Sequence, residues 1–112
     1  MDERMFLAQA DKQLANIEAA LERVIAGSDV DIDFELKPGG VIEIELDDAS
    51  KIIVNRHTAA REIWIAARSG GYHFRWDGSR WVNTRDGAEL MDALARCLSE
   101  QAGKPIPLED SA

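Results

Sequence analysis

The sequence predicts an α+β fold, a two-layer α/β sandwich with two terminal helices packed on one face of an antiparallel sheet of about six strands. Three observations predict it. Apolar residues recur at helical spacing near both ends of the chain, while the middle alternates apolar and polar residues in short runs. The links between those runs are hairpin-length, which requires antiparallel neighbours. Two amphipathic helices with one sheet then bury their apolar faces most simply as two layers, leaving the other sheet face open.

The first helix runs from residue 3 to about residue 25. Leu14, Ile17, Leu21 and Val24 recur at steps of three and four, with Ala10 and Ile25 beside them. Gly27 stops it. At about 100° per residue, Asp11, Glu18 and Glu22 form one narrow stripe, roughly 90° around from the apolar face. A strand at 29–36 follows, where Asp29, Asp31, Asp33 and Glu35 alternate with Val30, Ile32, Phe34 and Leu36. Period two gives that strand one apolar and one anionic face. KPGG (37–40) turns into a second strand at 41–47, DDAS (47–50) into a third at 51–55, and RHTAA into a fourth at 61–66. Gly70-Gly71 marks the next hairpin, with strands at 72–76 and 80–84 joined by DGS. The last element is a helix from about 87 to 101, with Asp86 as N-cap, Glu89 at capping-box spacing, and Leu90, Leu94, Cys97 and Leu98 as its apolar face. Gly103 and Pro105 end it. Residues 104–112 read as a linker-like tail, and 1–112 as a single domain.

The formal net charge is −8, unevenly spread: residues 1–48 carry 13 acids and 4 bases, and residues 49–112 carry 8 acids and 9 bases. That distribution argues against nucleic acid as a partner and points to metal cations or a basic protein surface. Cys97 is the only cysteine, so no intramolecular disulfide forms and a reducing compartment fits. The opening MDERMFLAQADKQ lacks a signal-peptide pattern, and no run approaches the roughly 18 apolar residues of a membrane span. A cytoplasmic location without membrane contact is the expectation.

The row of carboxylates at 29–35 is costly. Alternate residues on a strand face lie about 6.5–7 Å apart, where two unit charges repel by about 0.6 kcal/mol in bulk water. Three neighbouring pairs cost on the order of 1–2 kcal/mol before screening. Edge protection against strand pairing is one explanation; an anionic surface kept for cationic ligands is the other. Asp29, Asp31 and Asp33 mimic the start of an EF-hand loop, but Phe34 replaces the required Gly and Gly40 the bidentate Glu. Carboxylate oxygens suit Mg²⁺, Ca²⁺, Mn²⁺ and iron. His57 and His73 lack zinc-site spacing. Ligands strung along a strand and a helix flank are not preorganised, so binding is expected to be weak and exchangeable. The like-charge clustering also predicts stability that rises on acidification toward about pH 5.

Trp64 lies between Ile63 and Ile65. With the isoleucines turned to the helices, Trp64 falls on the open sheet face, where an exposed Trp is a typical interface anchor. Tyr72, Phe74 and Trp76 read as core, with His73 and Arg75 as exposed neighbours of Trp64; Trp81 reads as packing. No catalytic constellation is present. Cys97 sits at a helical core position, and the glycine pair lacks the context of a phosphate loop.

DDASKIIVNR, EIWIAARSGGYHFRWDG and RWVNTRDG, preceded by an acidic helix and strand, closely resemble the bacterial frataxins, the CyaY proteins, over about residues 5–105. The resemblance implies weak, exchangeable binding of Fe²⁺ and Fe³⁺ on an acidic ridge formed here by Glu18, Glu22, Asp29, Asp31 and Asp33, with Asp11 and Glu35 as extensions. It implies a partner surface at Asn55, Arg56 and Trp64, extended by His57 and His73, for a cysteine desulfurase and an iron–sulfur scaffold protein. His57 stands where the family often has Gln, and the junction RVIAGSD lacks acids that many relatives carry there. The expected protein is thus a monomeric iron-binding regulator or adaptor of iron–sulfur cluster assembly, not an enzyme, with metal-dependent oligomers as a further state. The competing functions are a ferroxidase with iron storage, which lacks the Glu-x-x-His pairs of a di-iron bundle, and a metal-independent acidic interaction module.

Overall fold

The computed structural model describes residues 1–108. The chain runs α1 (Glu3–Gly27), β1 (Ile32–Lys37), β2 (Val41–Leu46), β3 (Lys51–His57), β4 (Glu62–Ala67), β5 (Gly70–Trp76), β6 (Trp81–Asn83) and α2 (Leu90–Ala102). The six strands form one sheet in chain order, each paired antiparallel with the next.

Alternation along each strand builds the core. Ile42, Ile44, Ile52, Val54, Ile63, Ile65 and Phe74 are buried under Phe6, Ile17 and Leu21 of α1 and Leu90, Leu94 and Leu98 of α2. The intervening residues face away from the helices. This is the expected two-layer sandwich, with Trp64 and His73 on the uncovered side. Trp81 is core, set edge-on to Phe6 with ring centroids 5.9 Å apart.

Helix α1 starts where Asp2 caps it, its carboxylate accepting from the Met5 N–H at 2.8 Å. Helix α2 departs from expectation. It begins at Leu90, not at residue 87, with Glu89 as N-cap and no capping side chain. Three contacts hold the preceding residues out of the helix: a bridge between Val82 and Glu89, the Asn83 N–H donating to the Ala88 carbonyl, and the Ala88 N–H donating to Asp86 Oδ1. Asp86 therefore organises a turn rather than a cap. Gly103 (φ +72°) closes α2, its N–H donating to the Ser99 carbonyl.

The tail is not simply a linker. Ile106 is buried in the core, and its N–H donates to Ser99 Oγ at 2.8 Å. The last four residues of the expected 104–112 tail lie outside the described residues. The first strand begins at Ile32 rather than at 29, so Asp29 and Asp31 precede it.

Arg56 overturns one expectation. It pairs with Ile63, which is fully buried, and cross-strand partners share a face. Arg56 therefore points toward the helices, not onto the open face with Asn55. Its guanidinium forms an ion pair with Asp11 of α1. Gly40 makes room for it: a Cβ there would lie 2.9 Å from Arg56 Cβ, and φ of +78° disfavours any L side chain. Gly40→Ala is expected to cost about 1–3 kcal/mol, the range for a strained left-handed residue, measured as a lower denaturation midpoint; a midpoint within error of wild type would contradict this packing.

Candidate functional site

Two surfaces carry the candidate residues. The first is the acidic border. Glu18 and Glu22 lie one turn apart on α1, on the flank that carries Asp11. Asp11 reaches Arg56 of β3, so this flank faces the sheet on the side of β1 to β3. Asp29 and Asp31 are exposed in the connection from α1, and Asp33 and Glu35 are exposed on β1.

Register then separates these acids into two kinds. Glu35 stands directly opposite Glu43, a repulsive pair. Lys37 relieves it, 3.6 Å from Glu35 and 3.5 Å from Glu43, and Lys51 reaches Glu43 at 2.7 Å. The Lys51 hydrogen bond holds the Glu43 carboxyl below its ordinary pKa. Asp33 stands opposite Glu45. Among the described residues, no ion pair or hydrogen bond engages the carboxylates of Glu18, Glu22, Asp29, Asp31 or Asp33. The two extensions, Asp11 and Glu35, are the ones already engaged, by Arg56 and Lys37.

The donor set suits a hard cation, because every candidate donor is a carboxylate oxygen. Among the described residues, however, no three His, Cys, Asp or Glu side chains converge as a metal would require. The arrangement fits a screened, exchangeable ion held by the field of several carboxylates.

The second surface is the open sheet face. Asn55, Trp64 and His73 stand side by side in one cross-strand row. Trp64 is stacked between two imidazoles: His57 at 3.8 Å and 13°, and His73 at 4.4 Å and 10°. The stack is fixed from below by Glu62, which sequence reasoning did not single out. Glu62 accepts from Trp64 Nε1 at 2.8 Å and from Arg75 Nε at 2.8 Å, and His73 Nδ1 lies 3.6 Å away. On the other side, the Ala60 N–H donates to His57 Nδ1 at 3.2 Å, which fixes that ring and leaves its second nitrogen as the N–H. The signal for Glu62 was available: it sits two residues from Trp64 and so shares its face.

Glu62 is a carboxylate with its side chain only 8% exposed. Burial pushes its pKa up, but hydrogen bonds from Trp64 and Arg75 and the nearby charges of Arg75 and His73 outweigh this, and the net shift is downward. Asp48 and Asp77 are also lowered, Asp48 chiefly by hydrogen bonds from Ser50 and Arg68, Asp77 by the backbone N–H groups of Ser79 and Arg80. These shifts run against the expected gain of stability on acidification.

Comparison with known proteins gives one family. The frataxin-like domain profile matches residues 1–104. The chain is 59% identical over 108 residues to the iron–sulfur cluster assembly protein CyaY of Dechloromonas aromatica (strain RCB), covering 96% of this chain and 99% of that one. Its fold matches the frataxin of Psychromonas ingrahamii with a TM-score of 0.84 at 23% identity, covering 98% of this chain and all of the other. It also matches trimeric frataxin of the yeast Saccharomyces cerevisiae, solved complexed with ferrous iron, with a TM-score of 0.72 at 26% identity over 93% and 88% of the two chains.

A depressed carboxylate adds stability that is complete above its unfolded pKa, ordinarily 4.5 for Glu62, and lost as pH falls through the folded value. Glu62→Gln is therefore expected to lose about 1–2 kcal/mol at pH 7 and to show a shallower fall in melting temperature between about pH 5 and pH 3. Parallel wild-type and variant melting curves over that window would refute the role assigned to Glu62.

Proposed function

The chain belongs to the frataxin-like family, and from that premise we propose that it is an iron-responsive adaptor of iron–sulfur cluster assembly. Its relatives carry the name of assembly proteins rather than of enzymes. The observation that carries the reading is the uncompensated acidic border. A chain that places Lys37, Lys51, Arg56, Arg68 and Arg75 in ion pairs with Glu35, Glu43, Asp11, Asp48 and Glu62 leaves Glu18, Glu22, Asp29, Asp31 and Asp33 without a cationic partner among the described residues. A field of that sign attracts Fe²⁺ or Fe³⁺, and it attracts a basic protein surface equally. The yeast relative solved with ferrous iron supports iron as the cation.

On this reading the border binds iron weakly and exchangeably, with other divalent cations as competitors. The open face, centred on Asn55 and Trp64 with His57 and His73 against the indole, binds the desulfurase and scaffold proteins of cluster assembly. Arg56 lies off that face and serves the acidic border instead, fixing α1 through Asp11. Iron neutralises charges that a basic partner would otherwise meet, so metal occupancy and partner affinity are coupled, and the coupling is reciprocal.

Two outcomes test this. In an NMR titration with Fe²⁺, the amides of residues 18–35 should broaden first, and the triple change Asp29→Asn, Asp31→Asn, Asp33→Asn should weaken binding about tenfold or more; broadening spread evenly over the surface would sink the metal assignment. Trp64→Ala should weaken capture of the desulfurase complex at least tenfold and leave the Fe²⁺ titration unchanged. If both variants capture the complex as wild type does, the partner surface lies elsewhere.

A further inference from the structure

On the helix side of the molecule, away from both surfaces above, α1, the β5–β6 hairpin and the start of α2 enclose a cleft of about 660 Å³. Trp76 and Trp81 form one wall, their ring centroids 5.6 Å apart at 58°. Leu90 and Met91 form another, and Lys12 and Gln13 of α1 line the third. Nothing in the proposed function uses this cleft.

Its hydrogen-bonding balance is one-sided. Trp81 is 2% exposed, yet its indole Nε1 has no acceptor, and the amide Nε2 of Gln13 is also buried without one. Buried polar groups in folded proteins almost always find a partner. Two orphan donors in the residues of one cleft therefore mark a place where an acceptor is missing. The helix adds more donors. Two first-turn residues of α2, Leu90 and Met91, line the cleft, and the N-cap residue Glu89 supplies no side-chain oxygen to the helix N–H groups. Lys12 forms no ion pair among the described residues. Arg80 stands at the rim, 3.5 Å from Glu89 and 3.9 Å from Asp77, both acids exposed enough to exchange partners.

From this we propose that the cleft is a binding site for a small organic carboxylate with an apolar or aromatic body. The carboxylate oxygens would accept from the Leu90 and Met91 N–H groups and, as the Gln13 side chain swings aside, from Gln13 Nε2 and Trp81 Nε1, both shielded in this structure, with Lys12 as counter-charge. The apolar body would lie against Trp76, Leu90 and Met91. A bare inorganic anion would leave the aromatic wall uncovered, and a hydrocarbon would leave the donors unmet. Such a ligand ties α1 to α2, so occupancy raises the melting temperature by mass action.

The test is an NMR titration of the full chain with phenylacetate, with phenylacetamide as the neutral isostere. The expected result is a saturable shift of the Trp76 and Trp81 indole N–H signals and of the amides of residues 89–92, with phenylacetamide at least fivefold weaker. Lys12→Gln, an exposed substitution, and Gln13→Leu should each weaken phenylacetate at least threefold, and Trp81→Phe, which keeps the ring and removes the donor, at least fivefold. Should Trp81→Phe fail to fold, the two α1 variants decide the matter. The proposal is overturned by shifts that do not saturate, by equal response to acid and amide, by unchanged affinity in Lys12→Gln and Gln13→Leu, or by shifts centred on Trp64.

Discussion

The structure depends on a sheet that is covered on one side only. Two helices and six strands supply enough apolar surface for a single interface between layers. Strand geometry then forces a binary choice at every position, inward or outward. The inward set is nearly all Ile, Val, Leu, Phe and Trp, and it holds the domain together. The outward set is released from packing and can carry charge, imidazole and indole at little cost to the core. Both candidate surfaces draw on this freedom: Asp33, Asn55, Trp64 and His73 are all outward positions.

Arg56 is the instructive exception. It occupies an inward position at the end of β3, where a charge would ordinarily be expelled. It is retained because Asp11 of α1 meets it and because Gly40 leaves the space its side chain fills. The pair joins the acidic helix flank to the sheet, so it sets where Glu18 and Glu22 stand relative to β1. Glu62 plays the corresponding part on the outer face. A nearly inaccessible carboxylate would be unstable alone, but the Trp64 indole and the Arg75 guanidinium both donate to it. The indole is thereby oriented before any partner arrives, which reduces the ordering cost of binding.

Much of this was legible in the sequence, and the boundary is physical. Period-two alternation identified the strands, the side of Trp64 and the exposed neighbours His73 and Arg75. It also identified the anionic row, because one-dimensional spacing fixes which residues share a face. The ends of elements were less legible. Asp29 and Asp31 continue the alternation but pair with no strand, and α2 starts late because a bridge from Val82 captures Glu89. Ion pairs across the fold were not legible at all. Nothing in the order of residues says that Arg56, 45 positions from Asp11, would neutralise it, or that Lys37 and Lys51 would share Glu43. Those pairings decide which acids remain available to a cation.

The two surfaces are close enough for coupling, but only of one kind. Trp64 lies on β4 in the row of Asn55, Val41 and Lys37, and Asp33 lies on β1 in the row of Glu45 and Lys51, so three strand spacings across and four residues along separate them by about 20 Å. At physiological ionic strength the Debye length is about 8 Å, so a cation bound near Asp33 is largely screened from a ligand touching Trp64 alone. A field acting through solvent therefore cannot carry the coupling. A partner broad enough to cover β1 to β4 meets both at once, and for such a partner the charge state of the border is part of the contact. The screening distance thus favours an extended protein over a small ligand on the open face. On the proposed function, metal occupancy would then modulate the partner's rim contacts, where charge changes act mainly on the rate of association.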